Sequence, residues 1–163
     1  MGNPKENSKA LIIIDMLNDF VRDGAPLKAP KIKSIIEPIK QEIKKAHNEG
    51  YPVIYICDSH DSNDKEFKLY PPHAITGTTG SEIIDELKPQ NKDIIVHKKT
   101  LSSFYKTGLE KILKKLGTEE IVLTGCIANI CIQYTAFEAV VRGYRVNVVL
   151  DAIIGLNKED YDI

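Results

Sequence analysis

Five short runs rich in isoleucine and valine recur along the chain, and they constrain its fold more than any other feature. Each run is almost continuously apolar, which is typical of strands buried on both faces of a parallel sheet. Longer amphipathic segments separate most of the runs. The pattern predicts strands over residues 10–15, 51–58, 93–98, 119–125 and 144–151.

The intervening segments predict helices. Residues 31–48 carry isoleucines at helical spacing, and Gly50 follows, a residue type common just past the end of a helix. Further helices are predicted over 81–87, 109–116 and 131–141. Strands that alternate with helices indicate an α/β fold, here a three-layer, Rossmann-like α/β/α sandwich around a mainly parallel sheet. We expect a flexible polar tail over residues 1–9 and a single domain over 10–163.

Charge and cysteine content exclude several classes of protein. The formal net charge of -1 provides no basic field for nucleic acid or anionic lipid. No apolar run approaches the roughly 18 residues of a membrane span, and the polar opening lacks a secretory pattern. Three cysteines without framework spacing favour free thiols in a reducing cytoplasm. We therefore expect a cytoplasmic protein with no nucleic-acid or membrane partner.

Polar residues close the predicted strands. Asp15 ends the first, Asp58 the second and Lys98 the third, and the fourth leads into a loop with Cys126 and Cys131. One acidic residue at a strand end often only caps the next turn. Ligands of open α/β sheets bind beyond the carboxyl ends of the strands, however, and four strands would deliver polar groups to that edge. The sequence therefore predicts a reactive site there.

The position of Cys131 favours it as the reactive thiol. It lies at the start of a predicted helix, where unpaired N–H groups stabilise a thiolate, and Asn129 is a candidate cap. Cys126 precedes the turn and Cys57 lies within a strand, so both fit buried small hydrophobes. Lys98 would supply a cation and Asp15 a base, which completes an activated nucleophile.

A candidate metal site follows the second strand, in "DSHDSNDKEFKLYPPH". Asp58 and His60 are two residues apart, so both point to the same side of an extended chain. Glu66 and His73 follow in the same excursion. Two histidines and two carboxylates suit Zn²⁺, and also Mn²⁺ or Fe²⁺. The alternative is a charged surface loop, to which Asp61 and Asp64 would belong equally.

Three motifs resemble the isochorismatase-like cysteine hydrolases, the superfamily that includes the nicotinamidases. "IIIDMLNDF" is similar to the first strand of the family with its Asp and the Asp-Phe that follows. "IVHKKTLSSF" is similar to the segment of the catalytic lysine, which places that role on Lys98 with Ser102 and Phe104. "TGCIANICIQYTAFEAVVRGY" is similar to the nucleophile turn and helix. The resemblance covers roughly residues 10–151.

The resemblance implies a catalytic role for three residues: Cys131 as nucleophile, Asp15 as base and Lys98 as the group that stabilises the thiolate. It also implies a cis peptide between Cys126 and Ile127. This bond would direct the backbone N–H of Ile127, together with that of Cys131, toward the oxyanion. The chain departs from many relatives at Ala128-Asn129, where they carry Thr-Asp.

The resemblance also implies the contents of the substrate site. Asp58, His60, Glu66 and His73 match the metal ligands of some nicotinamidases, which favours zinc, with manganese or iron as alternatives. In those enzymes the metal binds the pyridine nitrogen of the substrate. Phe20 and Tyr70 would flank the ring, although both also fit as core residues.

We therefore expect a nicotinamidase, which converts nicotinamide and water into nicotinate and ammonia. One alternative is another C–N hydrolase of the superfamily with a carbamoyl or ureido substrate. A non-catalytic binding module is a third possibility, against which the absence of Gly-x-Gly-x-x-Gly and Gly-x-x-x-x-Gly-Lys counts. The family resemblance further implies a homo-oligomer. It also implies another helix and strand after the fifth strand. A chain that stops at Ile163 is therefore either incomplete or without these last elements, and their loss would leave a sheet edge uncovered.

Overall fold

A single parallel sheet organises the protein, for which a computed structural model describes residues 8–156. The strand order is β3-β2-β1-β4-β5, and every neighbouring pair is parallel. All five strands lie where the apolar runs predict them, with ends shifted by up to three residues. Their bounds are β1 Lys9–Ile14, β2 Val53–Asp58, β3 Ile94–Lys98, β4 Glu120–Cys126 and β5 Arg145–Ile154.

Within residues 8–156, four α-helices connect or flank the strands. The predicted helix over 31–48 begins as a 3-10 turn, Ile32–Ile35, before it becomes α-helical and ends at Gly50 with φ 77°. The predicted helix over 131–141 begins earlier, as a π-helical turn over Ala128–Ile132. The helix bounds are α1 Asn18–Val21, α2 Ile36–Glu49, α3 Leu109–Leu116 and α4 Gln133–Val141.

Two apolar cores lie on opposite faces of the sheet, so the predicted three-layer α/β/α sandwich is confirmed. On one face Leu11 and Ile13 of β1 pack in one cluster with Ile39 of α2. On the other face Ile12 of β1 packs in one cluster with Leu113 of α3. Both faces of the central strand are covered, which explains its continuous apolar sequence.

Two predictions about secondary structure are wrong, one for the helix over 81–87 and one for the N-terminal tail. Residues 81–87 form no α-helix but two 3-10 turns, Thr79–Ser81 and Asp85–Leu87. Between them the chain is extended, because its backbone bonds the segment after β1: Asn18 N–H donates to Glu82 O and Ile84 N–H to Met16 O. The predicted tail over 1–9 is wrong for Lys9, which lies in β1, and for Ser8, whose carbonyl accepts from Glu119 and Glu120. Residues 1–7 lie outside the described part.

The order of the strands places a topological switch point between β1 and β4, where ligands of such sheets bind. Gly125 lets these two strands meet there: its φ is +109°, and a Cβ would lie 2.1 Å from the carbonyl oxygen of Ile14. Only glycine fits this approach. The strand pairing thus brings Asp15 beside the turn that follows Cys126.

Strand β5 forms one edge of the sheet, and its Leu150 is 80% exposed. The elements expected after this strand lie outside the described residues. Within residues 8–156, no helix has the length and apolar character needed to cross a membrane.

Candidate active site

Asp15 is held in place by the strands around it. It is the first residue after β1 and has a positive φ of 53°. Its backbone N–H donates to Ile56 O at 2.9 Å, and its Oδ1 accepts the N–H of Asp58 at 3.0 Å. The carboxylate is wholly buried and therefore fixed at the carboxyl edge of the sheet.

Lys98 joins three site residues through one buried ammonium group. Its Nζ lies 2.8 Å from Asp15 Oδ2 and donates to Cys131 Sγ at 3.6 Å. It also donates a short hydrogen bond to Asp58 Oδ1. The structure thus brings Asp15, Lys98 and Cys131 together as the sequence predicts, and adds Asp58 to the same cluster.

The buried charges shift the pKa values of this cluster in different directions. Burial, together with the charge of Asp58, raises the pKa of Asp15 to about 6, although Lys98 acts to lower it. Burial acts to lower the pKa of Lys98, but Asp15 and Asp58 outweigh it and hold that pKa well above its usual range. Lys98 is therefore a permanent cation, and Asp15 is a carboxylate poised to exchange a proton near neutrality.

The electrostatics of Cys131 bear on the expectation that Asp15 takes the thiol proton and Lys98 stabilises the thiolate. Burial raises the pKa of Cys131 well above its ordinary value, and the lowering effect of Lys98 does not compensate, since Asp15 and Asp58 add to the increase. The resting nucleophile is therefore a thiol. It needs a base within reach, and an oxygen of Asp15 lies within 4.8 Å of its sulfur.

The other two thiols are structural. Cys126 donates from Sγ to the carbonyl oxygen of Asp15 at 3.2 Å and is wholly buried. Cys57 is buried within β2. Burial raises the pKa of both thiols, and the lowering effect of Lys98 does not compensate. Both fit the predicted role of small apolar residues.

The turn that carries Cys131 differs in detail from the prediction. The cis peptide between Cys126 and Ile127 is present. Asn129, however, does not cap the helix: the turn begins at Ile127 without a side-chain cap, and Asn129 Oδ1 is buried with no hydrogen-bond partner. A π-helical turn over Ala128–Ile132 precedes α4. Cys131 therefore lies within this turn and not at the first residue of α4.

A parallel bridge brings the two histidines of the excursion together. His60 pairs with Ile75, and Ala74 O accepts the His60 N–H at 3.0 Å. This pairing places His60 and His73 with ring centroids 4.8 Å apart. Ligand atoms of Asp58, His60 and His73 all lie within 4.8 Å of one another, which makes these residues a possible metal-binding site. Glu66 lies at its margin, with Oε1 3.9 Å from His73 Nε2.

The donor chemistry of this cluster fits a divalent cation. His73 Nδ1 donates to Pro71 O at 2.8 Å, which leaves Nε2 to face Asp58 Oδ2 at 3.6 Å. His60 Nε2 is buried and makes no hydrogen bond. Burial lowers the pKa of His60, but the nearby Asp58 and Asp64 outweigh it and raise that pKa to about 9. The negative charge that holds a proton on His60 would also attract a metal cation to Nε2, where the metal would displace that proton.

One cleft connects the thiol with this cluster and encloses about 360 Å³ of empty space, its open mouth included. Phe20 and Tyr70 both line it, as predicted, and the Phe20 ring meets His73 edge-on at 5.5 Å. Four apolar residues of the lining were not predicted from the sequence, because they lie in loops or turns without a periodic pattern. They are Leu27, Leu101, Ile130 and Leu156. The cleft is lined by Phe20, Leu27, Asp58, Glu66, Tyr70, His73, Leu101, Ile127, Ile130, Cys131 and Leu156.

Asp19 is a further residue without an assigned role from the sequence. Its Oδ2 accepts the N–H of Ala74 at 2.8 Å, directly after His73. Ala74 has a positive φ of 44°, so Asp19 supports the backbone at a sharp change of direction. The "NDF" motif thus places Phe20 in the cleft and Asp19 behind it.

Comparison with known proteins identifies the family. A sequence profile of the Isochorismatase domain matches residues 9–163. The chain belongs to the isochorismatase family. Family members are hydrolases, so the cleft lined by Cys131 is the candidate active site of a hydrolase of this family.

Solved structures of the isochorismatase family superpose closely on this chain. An N-carbamoylsarcosine amidase from Thermoplasma acidophilum is 35% identical with a TM-score of 0.89, covering 95% of this chain and 89% of that chain. A pyrazinamidase/nicotinamidase from Streptococcus mutans is 34% identical with a TM-score of 0.89 over 95% and 92%. A pyrazinamidase of Pyrococcus horikoshii in complex with zinc is 28% identical with a TM-score of 0.89 over 95% and 90%.

Proposed function

We propose that this hydrolase is a nicotinamidase, which converts nicotinamide and water into nicotinate and ammonia. One observation carries the proposal: Cys131 lines the same narrow apolar cleft as Asp58 and His73 of the possible metal site. A nucleophile for the amide carbon and an anchor for a ring nitrogen would thus act on one flat aromatic substrate.

The chain's own residues account for the proton transfers. Asp15 takes the proton from Cys131 as its sulfur attacks the amide carbon, and Lys98 offsets the negative charge that develops nearby. The backbone N–H groups of Ile127 and Cys131 would hold the oxyanion. The C–N bond then breaks, and Asp15 returns its proton to the departing ammonia. Water attacks the thioester with Asp15 as base, which releases nicotinate and restores the thiol.

Asp58, His60 and His73 would hold the metal, with Glu66 able to join them. A bound divalent cation would supply a Lewis-acid anchor for the pyridine nitrogen, and the zinc complex of the Pyrococcus horikoshii pyrazinamidase supports zinc as its identity. Phe20 and Tyr70 would restrict the ring to one plane. These contacts orient the carboxamide toward Cys131 without a direct part in bond cleavage.

The charges of the cleft favour a neutral substrate. Among its described lining residues, the charged ones are Asp58 and Glu66, with His73 beside them, and neither lysine nor arginine is present. Apart from the proposed metal, a carboxylate group on the substrate would find no lysine or arginine in this lining to pair with. Nicotinamide carries no charge, and its product nicotinate, an anion, would be released readily.

A second candidate is hydrolysis of an N-carbamoyl compound, which the similarity to the N-carbamoylsarcosine amidase favours. That substrate carries a carboxylate, so the lining of the cleft counts against it. A binding module without catalysis is weaker still, because it leaves the buried group of Asp15, Lys98 and Cys131 without a role.

Ammonia release from nicotinamide and from N-carbamoylsarcosine, each with and without prior metal removal, distinguishes these functions. The proposal expects release from nicotinamide that is lost with the metal and restored by zinc. Release from the carbamoyl compound alone, unaffected by a chelator, would replace nicotinamidase by carbamoyl hydrolase. Release from neither would overturn both candidates and leave a ureido substrate or the binding module.

A further inference from the structure

Asp64 uses both oxygens of one carboxylate on two residues of the metal cluster. Its Oδ2 lies 3.1 Å from Nδ1 of His60, and its Oδ1 accepts the backbone N–H of Glu66 at 2.9 Å. The second bond caps the 3-10 turn Lys65–Lys68, which carries Glu66. The Asp64 side chain is largely shielded, with 18% exposure.

The bond to His60 determines which ring nitrogen is available to a metal. A carboxylate can only accept at Nδ1, so Nδ1 keeps its proton, and Nε2 is the nitrogen that gives up its proton when a metal binds. This is the nitrogen that is buried without a hydrogen bond and faces Asp58. The bond to the backbone N–H of Glu66 fixes the position of the Glu66 backbone. From there the Glu66 side chain places Oε1 at the margin of the metal cluster.

We infer that Asp64 is a positioning residue for the metal site, one that sets the tautomer of His60 and the location of Glu66 at the same time. The inference rests on the metal-dependent part of the proposed function. Substitution of a carboxylate that orients a ligating histidine typically weakens metal binding by about 10–100-fold. Neither motif spacing nor composition distinguishes Asp64 from its neighbour Asp61.

An asparagine cannot replace Asp64, because the two donors bond different oxygens of the carboxylate and an amide has only one oxygen. If the oxygen of Asn caps Glu66, its NH₂ group faces His60 Nδ1 and moves the ring proton to Nε2, where it blocks the metal. If the oxygen instead accepts from His60, the turn loses its cap. Serine keeps a capping oxygen for Glu66 but offers no second acceptor for His60.

The same loop contains a matched control. Asp61 pairs with Lys99 at 2.7 Å, and both side chains are more than half exposed. Asp61→Asn removes one negative charge from the loop. The Asp61 carboxylate has no described contact with any residue of the metal cluster. Asp61→Asn therefore separates a loss of charge from a loss of the two bonds.

The experiment measures the dissociation constant of zinc by competition with a chromophoric chelator, and the melting temperature of the metal-free protein. Wild type, Asp64→Asn, Asp64→Ser and Asp61→Asn are compared as full chains. We expect zinc binding about 10–100-fold weaker in both Asp64 variants, unchanged in Asp61→Asn, and melting temperatures close to wild type in all three.

Affinities of both Asp64 variants within about threefold of wild type would overturn the inference and leave the proposed function intact. An equal loss in Asp61→Asn would reduce it to a charge effect. A large fall in the metal-free melting temperature of both Asp64 variants would make the role of Asp64 merely structural. A wild-type protein that binds no zinc would remove the proposed zinc site itself, and this inference with it.

Discussion

The side-chain nitrogen of Lys98 lies 2.8 Å from Oδ2 of Asp15, and neither side chain is exposed to solvent. The same ammonium group contacts Asp58 and Cys131. One buried cation thus balances two carboxylates beside the candidate nucleophile. Stability, proton transfer and ligand binding all depend on this arrangement.

Removal of the buried cation should destabilise the fold. Lys98→Met leaves the carboxylates of Asp15 and Asp58 buried without their partner, which typically costs about 3–5 kcal/mol. Chemical denaturation would measure the free energy of unfolding. The adjacent Lys99→Met is the control, because its exposed pair with Asp61 contributes at most about 1 kcal/mol. Equal losses in the two variants would contradict the account of the buried pair.

The acid limb of the activity should report Asp15. Burial and the charge of Asp58 raise its pKa to about 6, so the carboxylate that accepts the thiol proton is present above that pH and lost below it. We expect kcat/KM to fall about tenfold per pH unit below about pH 6. Activity that persists unchanged down to about pH 4, the range of an ordinary aspartate, would remove this role from Asp15.

Loss of a proposed histidine ligand should weaken metal binding more than loss of Asp64, which contacts a ligand and not the metal. His73→Ala removes a nitrogen that faces Asp58 and Glu66, so zinc affinity should fall by more than about 100-fold. Competition with a chelator measures this. His97→Ala is the matched control, since His97 is an exposed residue of β3 outside the cluster. Comparable affinities for wild type and His73→Ala would mean that the cluster is not the metal site.

The junction of β1 and β4 should not tolerate a side chain. In Gly125→Ala the Cβ would lie 2.1 Å from Ile14 O, at a φ of +109°, so the backbone next to Asp15 must move. We expect a loss of at least about 3 kcal/mol in unfolding free energy. Gly77→Ala, with φ +81° and open space around it, should lose only about 1 kcal/mol. A loss no larger in Gly125→Ala than in Gly77→Ala would contradict the close approach.

The sequence predicts the strands and the residues at their ends because both follow from local pattern. Buried parallel strands need continuous apolar runs, and their carboxyl ends share one edge, so Asp15, Asp58 and Lys98 were bound to meet near the turn of Cys131. The excursion with Asp58, His60 and His73 was predictable from residue type, with the family resemblance as added support.

The remaining features depend on contacts between distant segments. The local sequence of residues 82–84 predicts a helix, yet their backbone forms hydrogen bonds with residues 16–18. The periodicity of the sequence does not indicate this pairing. The raised pKa of Cys131 reflects the burial of its side chain, which the sequence pattern does not reveal for a residue in a turn. Asp61 and Asp64 are indistinguishable in sequence, and only the fold turns one toward His60 and the other toward Lys99.

The most direct test of the account is ammonia release from nicotinamide by zinc-loaded wild type, Cys131→Ala and Cys57→Ala. Cys57 is a buried strand residue outside the catalytic group, so its variant controls for loss of a thiol. We expect release by wild type and Cys57→Ala, and a fall of at least about a thousandfold in Cys131→Ala. A Cys131→Ala protein that releases ammonia at the wild-type rate would contradict it.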